Sequence, residues 1–356
     1  MVEIVTLDPD IHRSRWEPFV AECYANPDYV LLAPDFLRWQ FLDNPANRTG
    51  EHTIWLILHR DQVVAQLGFV PFVGLDAEGG RFVGAHPVNL MVRPEYRAVG
   101  LGAILIGKLL TETKCVLNPG SNQPGAELGL GLGMHDLGTL RRHVAIVDQV
   151  SAARLSADGR LPAGTREAPV AAGAMLAPVR ALPPHAPDAF AFPEPVCGAE
   201  RNRAFLRWRY EGHPAFDYEF ILSADAASIL VFHEEREPTT GLLVLRLVDF
   251  LAAEADRDAL LASLVATARE RSAALIDFFC SLACYDQALA RAGFFDEAAH
   301  ADGRIAALFQ PLDFRKTGIR VLASHPQGRA TTARDWYVTK ADSDQDRPNH
   351  RHRMRG

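Results

Sequence analysis

The sequence predicts a mixed-sheet α/β (α+β) protein in which one domain occurs twice. Three observations predict it. First, Phe36-Leu37-Arg38-Trp39-Gln40-Phe41-Leu42-Asp43-Asn44-Pro45 returns 169 residues later as Phe205-Leu206-Arg207-Trp208-Arg209-Tyr210-Glu211-Gly212-His213-Pro214, with the spacing kept and a tryptophan in each copy. Second, each copy is followed by the same order of apolar segments: strand-like runs, a helix-like run and a further strand. Third, the long strand of the first copy runs into a glycine turn, Arg97-x-x-Gly100-x-Gly102, which opens a helix. A repeat this long means two copies of a domain rather than a solenoid.

The elements follow in order. Phe36 to Asn44 reads as a short helix with an apolar face, stopped by Pro45. Trp39 and Trp208 are expected as wedges between such a helix and its sheet. Thr53–Leu58 and Val63–Val70 form a hairpin through Arg60-Asp61-Gln62, and Phe82–Val92 is the long strand. The helix after the glycine turn ends near Thr113, and Lys114–Leu117 is the next strand. In the second copy Tyr218–Leu222, Ile229–Phe232 and Gly241–Phe250 are strands. Leu260, Leu261, Leu264, Val265 and Ala268 have helical spacing within Ala255–Ala274. Leu275–Phe279 is a strand, and Tyr285–Phe294 a helix ending at Gly293. Ser151 to Glu200, rich in alanine and proline, joins the copies. The division expected is 1–165, 166–330 and a tail, 331–356.

Composition narrows the function. With 48% hydrophobic and 23% charged residues the chain has enough apolar material for a core. A net charge of -7 gives no basic field for nucleic acid. The start, Met1-Val2-Glu3-Ile4-Val5, is not a signal peptide, and no apolar run reaches the ~18 residues of a membrane span. A cytoplasmic protein with no membrane insertion is expected. Cys23, Cys115, Cys197, Cys280 and Cys284 are odd in number and scattered, so reduced thiols and no metal site are expected.

The glycine turn carries the chemistry. The first amides of a helix lack partners within it, and the helix dipole is positive there. Glycines let the backbone close around an anion, so the junction is suited to phosphate. By contrast, Leu251-Ala252-Ala253-Glu254-Ala255-Asp256-Arg257-Asp258 stands at the same place in the second copy, and its three carboxylates repel a phosphate. One anion site is expected, in the first copy.

Val92-Arg93-Pro94-Glu95-Tyr96-Arg97-Ala98-Val99-Gly100-Leu101-Gly102 resembles the acyl-CoA pyrophosphate loop of the GNAT acetyltransferase superfamily. The resemblance implies two tandem GNAT-like domains and acetyl-CoA, or another acyl-CoA, as co-substrate without a metal. It implies that the strand Val88–Val92 binds the pantetheine arm, that an amide near Met91 or Val92 polarises the acyl carbonyl, and that Arg97 with the amides of Val99, Gly100, Leu101 and Gly102 holds the pyrophosphate. Arg93 and Lys108 are further cations nearby. His86, eleven residues before Arg97, stands where histone-type members keep a glutamate base, and a neutral histidine suits that task. At the end of the next strand, Asn118, Ser121, Asn122 and, further on, His135 are expected to meet the acceptor or the leaving thiolate. Many members use a tyrosine in the following helix as the acid, but residues 118–145 contain none, and Gly129, Gly131 and Gly133 make that stretch a poor helix. Cys115 has no visible base to make it a nucleophile.

The tail Trp336-Tyr337-Val338-Thr339-Lys340-Ala341-Asp342-Ser343-Asp344-Gln345-Asp346-Arg347-Pro348 resembles that of GNAT-like proteins encoded with bacterial surface-polysaccharide genes. That implies Asp342 and Asp344 as acceptor-binding carboxylates, against the plainer reading of a solvated acidic tail with a frayed basic end at His350–Arg355. The function expected is N-acyl transfer from CoA to a small-molecule amine, an amino sugar of surface-polysaccharide assembly. The alternatives are an aminoacyl or acyl transferase acting on a peptide or thiol precursor, and a non-catalytic CoA-binding scaffold.

Overall fold

A computed structural model describes residues 2–170, 175–300, 304–310, 312–314, 318–324 and 332–354. Local chemistry starts the first elements. Asp8 caps helix α1 (Pro9–Tyr24) by accepting from the Asp10 amide at 2.9 Å, and prolines open both α1 and α2 (Pro34–Phe41), where a backbone donor is not needed. Strands β1 (Val2–Thr6), β2 (Ile54–His59), β3 (Gln62–Leu75) and β4 (Arg81–Val92) then form an antiparallel run. Helix α3 (Leu101–Glu112) crosses to β5 (Cys115–Pro119), which lies parallel to β4. Helix α4 (Gln123–Gly131) and strands β6 (His135–Thr139) and β7 (Arg141–Ile146) follow.

The second part of the chain repeats the order. Helix α5 (Arg203–Leu206) runs on as a π-helical turn over Arg207–Glu211. Next come β8 (Tyr218–Leu222), β9 (Ile229–Arg236), β10 (Leu243–Leu251), α6 (Arg257–Glu270), β11 (Leu275–Cys280), α7 (Asp286–Arg291), β12 (Phe294–Asp296) and β13 (Arg320–Ser324). Strand β10 is buried along its whole length, as its apolar run requires. Its two charged residues, Arg246 and Asp249, are both ion-paired.

The two sheets exchange strands. The first runs β1-β2-β3-β4-β5-β13-β6 and the second β8-β9-β10-β11-β7-β12. Each sheet thus takes, next to its last strand, a strand from the other part of the chain, and two short strands from beyond residue 165, Cys197–Ala199 and Trp336–Tyr337, join the first sheet off this path through β3. Strand β7 lies within 1–165 yet pairs with β11 of the second sheet, and β13 lies within 166–330 yet pairs with β5 and β6 of the first. A division of the chain at residue 165 therefore does not divide the sheets.

The repeat sits where the two parts meet. Trp39 and Trp208 do not wedge a helix against a sheet. They stack on each other at 5.1 Å and 19°, and each indole N–H donates to the other's backbone carbonyl, at 2.9 and 2.8 Å. Such reciprocity is what a local two-fold relation between copies produces. The stretch judged too rich in glycine for a helix does form α4. Asn122 caps it by accepting from the Gly125 amide at 2.9 Å, and a side chain at Gly129 would meet Leu322 of β13 at 2.9 Å. The tail is neither solvated nor frayed: Trp336 to Ser343 and Asp346 are buried, while Arg355 lies outside the described residues. No helix of the described residues is long and apolar enough to cross a membrane.

Candidate active site

The site begins where β4 and β5 stop pairing. Their parallel ladder holds only Gly84 with Cys115 and Ala85 with Val116. In the second sheet, β10 and β11 stay paired from Val244–Leu275 to Leu247–Phe278. Past Ala85 comes His86, then Pro87, which brings no N–H. The His86 ring nitrogen Nδ1 lies 2.7 Å from the Leu117 carbonyl, and the ring stacks on Phe72 at 4.4 Å. Beyond, the strands part around a cavity of about 910 Å³, with Pro87–Val92 on one wall and Asn118–Asn122 on the other.

A bulge shapes the β4 wall. The β3–β4 register slips between Gln66 and Gly68, opposite Asn89, whose φ is 52°. The hydroxyls of Tyr24 and Tyr29 donate to Asn89 Oδ1 at 2.7 and 2.9 Å. Gln66 Nε2 donates to the Asn89 carbonyl at 3.2 Å, and Gln66 Oε1 accepts from the Trp16 indole at 2.7 Å. Asparagine tolerates the left-handed region better than most residues, and this buried network holds it there.

The outer end of the cavity is the glycine turn. Arg97, Gly100 and Gly102 line it, with Met91 and Val92 beside them. Gly100 has φ 78°, which a side chain would strain, and it stands directly before α3 with no capping side chain. The amides of the first turn of α3 are thereby left for an anion. Arg97 is exposed and spends only Nε, on the Val92 carbonyl at 3.3 Å. The side chains of Val99 and Leu101 do not line the cavity: Val99 points to solvent and Leu101 into the core. Arg93 and Lys108 are engaged elsewhere, Arg93 with Glu22 and the Val63 carbonyl, Lys108 with Glu112 and the Trp55 ring.

The counterpart in the second sheet is closed. Ser228 Oγ donates to Asp256 at 2.6 Å and accepts from the Ala253 amide at 3.0 Å, tying down the turn before α6. Arg257 turns inward to the Cys284 carbonyl at 2.7 Å. The Tyr337 hydroxyl accepts from the Phe250 amide at 2.9 Å.

Three further expected site residues are not at the cavity. His86 is 2% exposed and faces Phe72 and Leu117, and burial, which disfavours the imidazolium, lowers its pKa. It caps the strand junction and is not on the cavity wall. His135 is exposed on β6, off the cavity wall, because its strand is set by pairing with β13. Asp342 is buried in a two-pronged pair with Arg201, at 3.0 Å on each oxygen, and Arg201 also bonds Asp249 at 2.7 Å. Asp342 is thus a structural counter-charge.

Asn118, Ser121, Asn122 and Asp344 do line the cavity. Ser121 Oγ is buried without a hydrogen-bond partner among the described residues. Asp344 accepts from Arg347 Nε at 3.0 Å and from Gln345 Nε2 at 3.2 Å.

Sequence reasoning missed the inner end. Tyr24 of α1, Glu235 and Arg246 of the second sheet, and Lys340 and Asp346 of the tail also line the cavity. Burial and the neighbouring Arg246 hold the Lys340 ammonium down to about 8. Burial opposes ionisation of Asp346, but His233, Lys340 and Arg209 outweigh it and keep the carboxyl well below the usual range. A lysine within the apolar run Val338-Thr339-Lys340-Ala341 was the one signal available in the sequence.

The fold as a whole is similar to that of solved structures. A GCN5-related N-acetyltransferase from Kribbella flavida aligns with TM-score 0.56 and 15% identity over 93% of this chain and 74% of its own. Saccharomyces cerevisiae N-myristoyltransferase with bound myristoyl-CoA aligns with TM-score 0.54 and 12% identity over 91% and 84%. The chain has the GNAT fold. A third GNAT structure, the GCN5-related N-acetyltransferase from Anabaena variabilis, aligns with TM-score 0.53 and 12% identity over 91% and 72%. No family model and no curated protein sequence matches the chain.

Proposed function

We propose that the protein is an acyl-CoA-dependent N-acyltransferase. The observation that carries this reading is the gap between β4 and β5, which opens directly beside a glycine turn with free helix amides and an uncommitted arginine. Arg97 and the turn Val99–Gly102 take the pyrophosphate, and Pro87–Val92 takes the pantetheine arm. An amide near Met91 or Val92 then polarises the thioester carbonyl.

The acceptor enters from the inner end, where the second sheet supplies Glu235 and Arg246. On this view the first GNAT-like unit binds CoA and the second shapes the acceptor pocket. The amine nitrogen attacks the acyl carbon and the C–S bond breaks. Asp344 takes the amine proton, and CoA leaves as the thiolate, which takes its proton from solvent. Such a polar inner wall suits a hydroxylated amine, and an amino sugar of surface-polysaccharide assembly is the acceptor we favour.

Calorimetric titration with acetyl-CoA and longer acyl-CoAs tests the reading. The wild type binds at least one, and Arg97→Ala weakens that binding about tenfold with the fold intact. A wild type that binds no acyl-CoA overturns the assignment.

A further inference from the structure

We propose that the acceptor is an amine that also carries an anionic group, carboxylate or phosphate, and that Lys340 holds that group at the inner end of the cavity. This rests on the acyl-transfer reading and names the acceptor class within it.

Lys340 is 4% exposed, yet it lines the cavity and makes no hydrogen bond or ion pair to a described residue. Its charge lies over the Phe279 ring, 5.1 Å from the centroid. Every carboxylate nearby is already taken. Asp346 receives the Tyr218 hydroxyl at 2.7 Å and lies 3.1 Å from His233 Nε2. Glu235 pairs with Arg246 at 2.8 Å. Asp277 is shared by Arg246 and Arg142 at 3.0 and 3.1 Å. Arg347 of the same wall is committed to Asp344.

A buried ammonium has three donors and is costly to leave without acceptors. Each arginine of this cluster is matched, so the mismatch is confined to Lys340. An anionic group on the bound molecule supplies the missing acceptors and fixes which end of the acceptor lies deep. A free neutral amino sugar has nothing for Lys340, whereas a sugar phosphate, a nucleotide-linked amino sugar or an amino acid does.

Binding in the presence of CoA, which prevents turnover, tests this with two matched pairs: glucosamine 6-phosphate against glucosamine, and alanine against alaninamide. In at least one pair the anionic member binds about ten- to a hundredfold more tightly than its neutral partner. Lys340→Met abolishes that difference while leaving CoA affinity within about twofold, which also shows that the variant is folded. The pair that responds tells phosphate from carboxylate. No preference in either pair, or a preference that survives in Lys340→Met, overturns the proposal while CoA binding keeps the acyl-transfer reading. Absence of CoA binding sinks both.

Discussion

The His86 imidazole sits where two parallel strands stop pairing and offers a side-chain donor to the Leu117 carbonyl. Removing it leaves that carbonyl unsatisfied and a gap beside Phe72, so His86→Ala costs about 2–4 kcal/mol in denaturant unfolding. Acyl transfer, corrected for the fraction folded, stays within about threefold, because the ring does not face the cavity. Loss of turnover with CoA affinity intact would return His86 to the role of base. The pH dependence has a definite sign. His86 and His143 both have folded pKa values below the ordinary 6.5, so the unfolded chain takes up protons first on acidification. Their contribution is full above about pH 6.5 and is lost below it; stability therefore falls from pH 7 to pH 5, less steeply in His86→Gln. Residues tied to one local turn, such as Arg97 and Gly100, were legible in the sequence because the geometry they need is local. His86 was not, since an offset along a strand does not say which side parts from its neighbour. Asp342 was hidden for another reason: its partner Arg201 is 141 residues away.

At the scale of elements, the β4 bulge aims the wall that would carry the thioester. Asn89 holds it through two tyrosine hydroxyls on α1 and the segment after it. Asn89→Ala loses both acceptor bonds and keeps a strained backbone, costing about 2–4 kcal/mol. Turnover falls about ten- to a hundredfold while CoA affinity moves less than about threefold, since the pyrophosphate end does not depend on the bulge. Steady-state kinetics beside calorimetry separates the two, and an equal loss of both counts against this division of labour. Strands β2 to β5 and β8 to β11 were readable from alternation and apolar runs, with ends a few residues off. Strands β6, β7 and β13 were not, because short segments that join a distant sheet carry no period of their own. Helix α4 hid behind its glycines, one of which is required by close packing on β13.

For the whole molecule, the repeat led to an expectation of two separate units, whereas each of the two sheets takes in strands from the other part of the chain. Exchange couples the units. Residues 1–165 expressed alone lack β13 and leave β7 without its sheet, so that fragment does not reach a stable fold. The full chain is expected to unfold in one step, with tryptophan fluorescence, which senses the stacked Trp39–Trp208 pair, coincident with far-ultraviolet circular dichroism. Two separated transitions refute the coupling. The exchange also sets an order of events on the ribosome. Strand β5 is made early, but its neighbour β13 and the Lys340–Asp346 wall emerge about 200 residues later, roughly 10–40 seconds at ordinary elongation rates. The nascent chain therefore holds a complete glycine turn beside an unfinished cleft, and the cleft closes into a pocket only once those later residues have emerged.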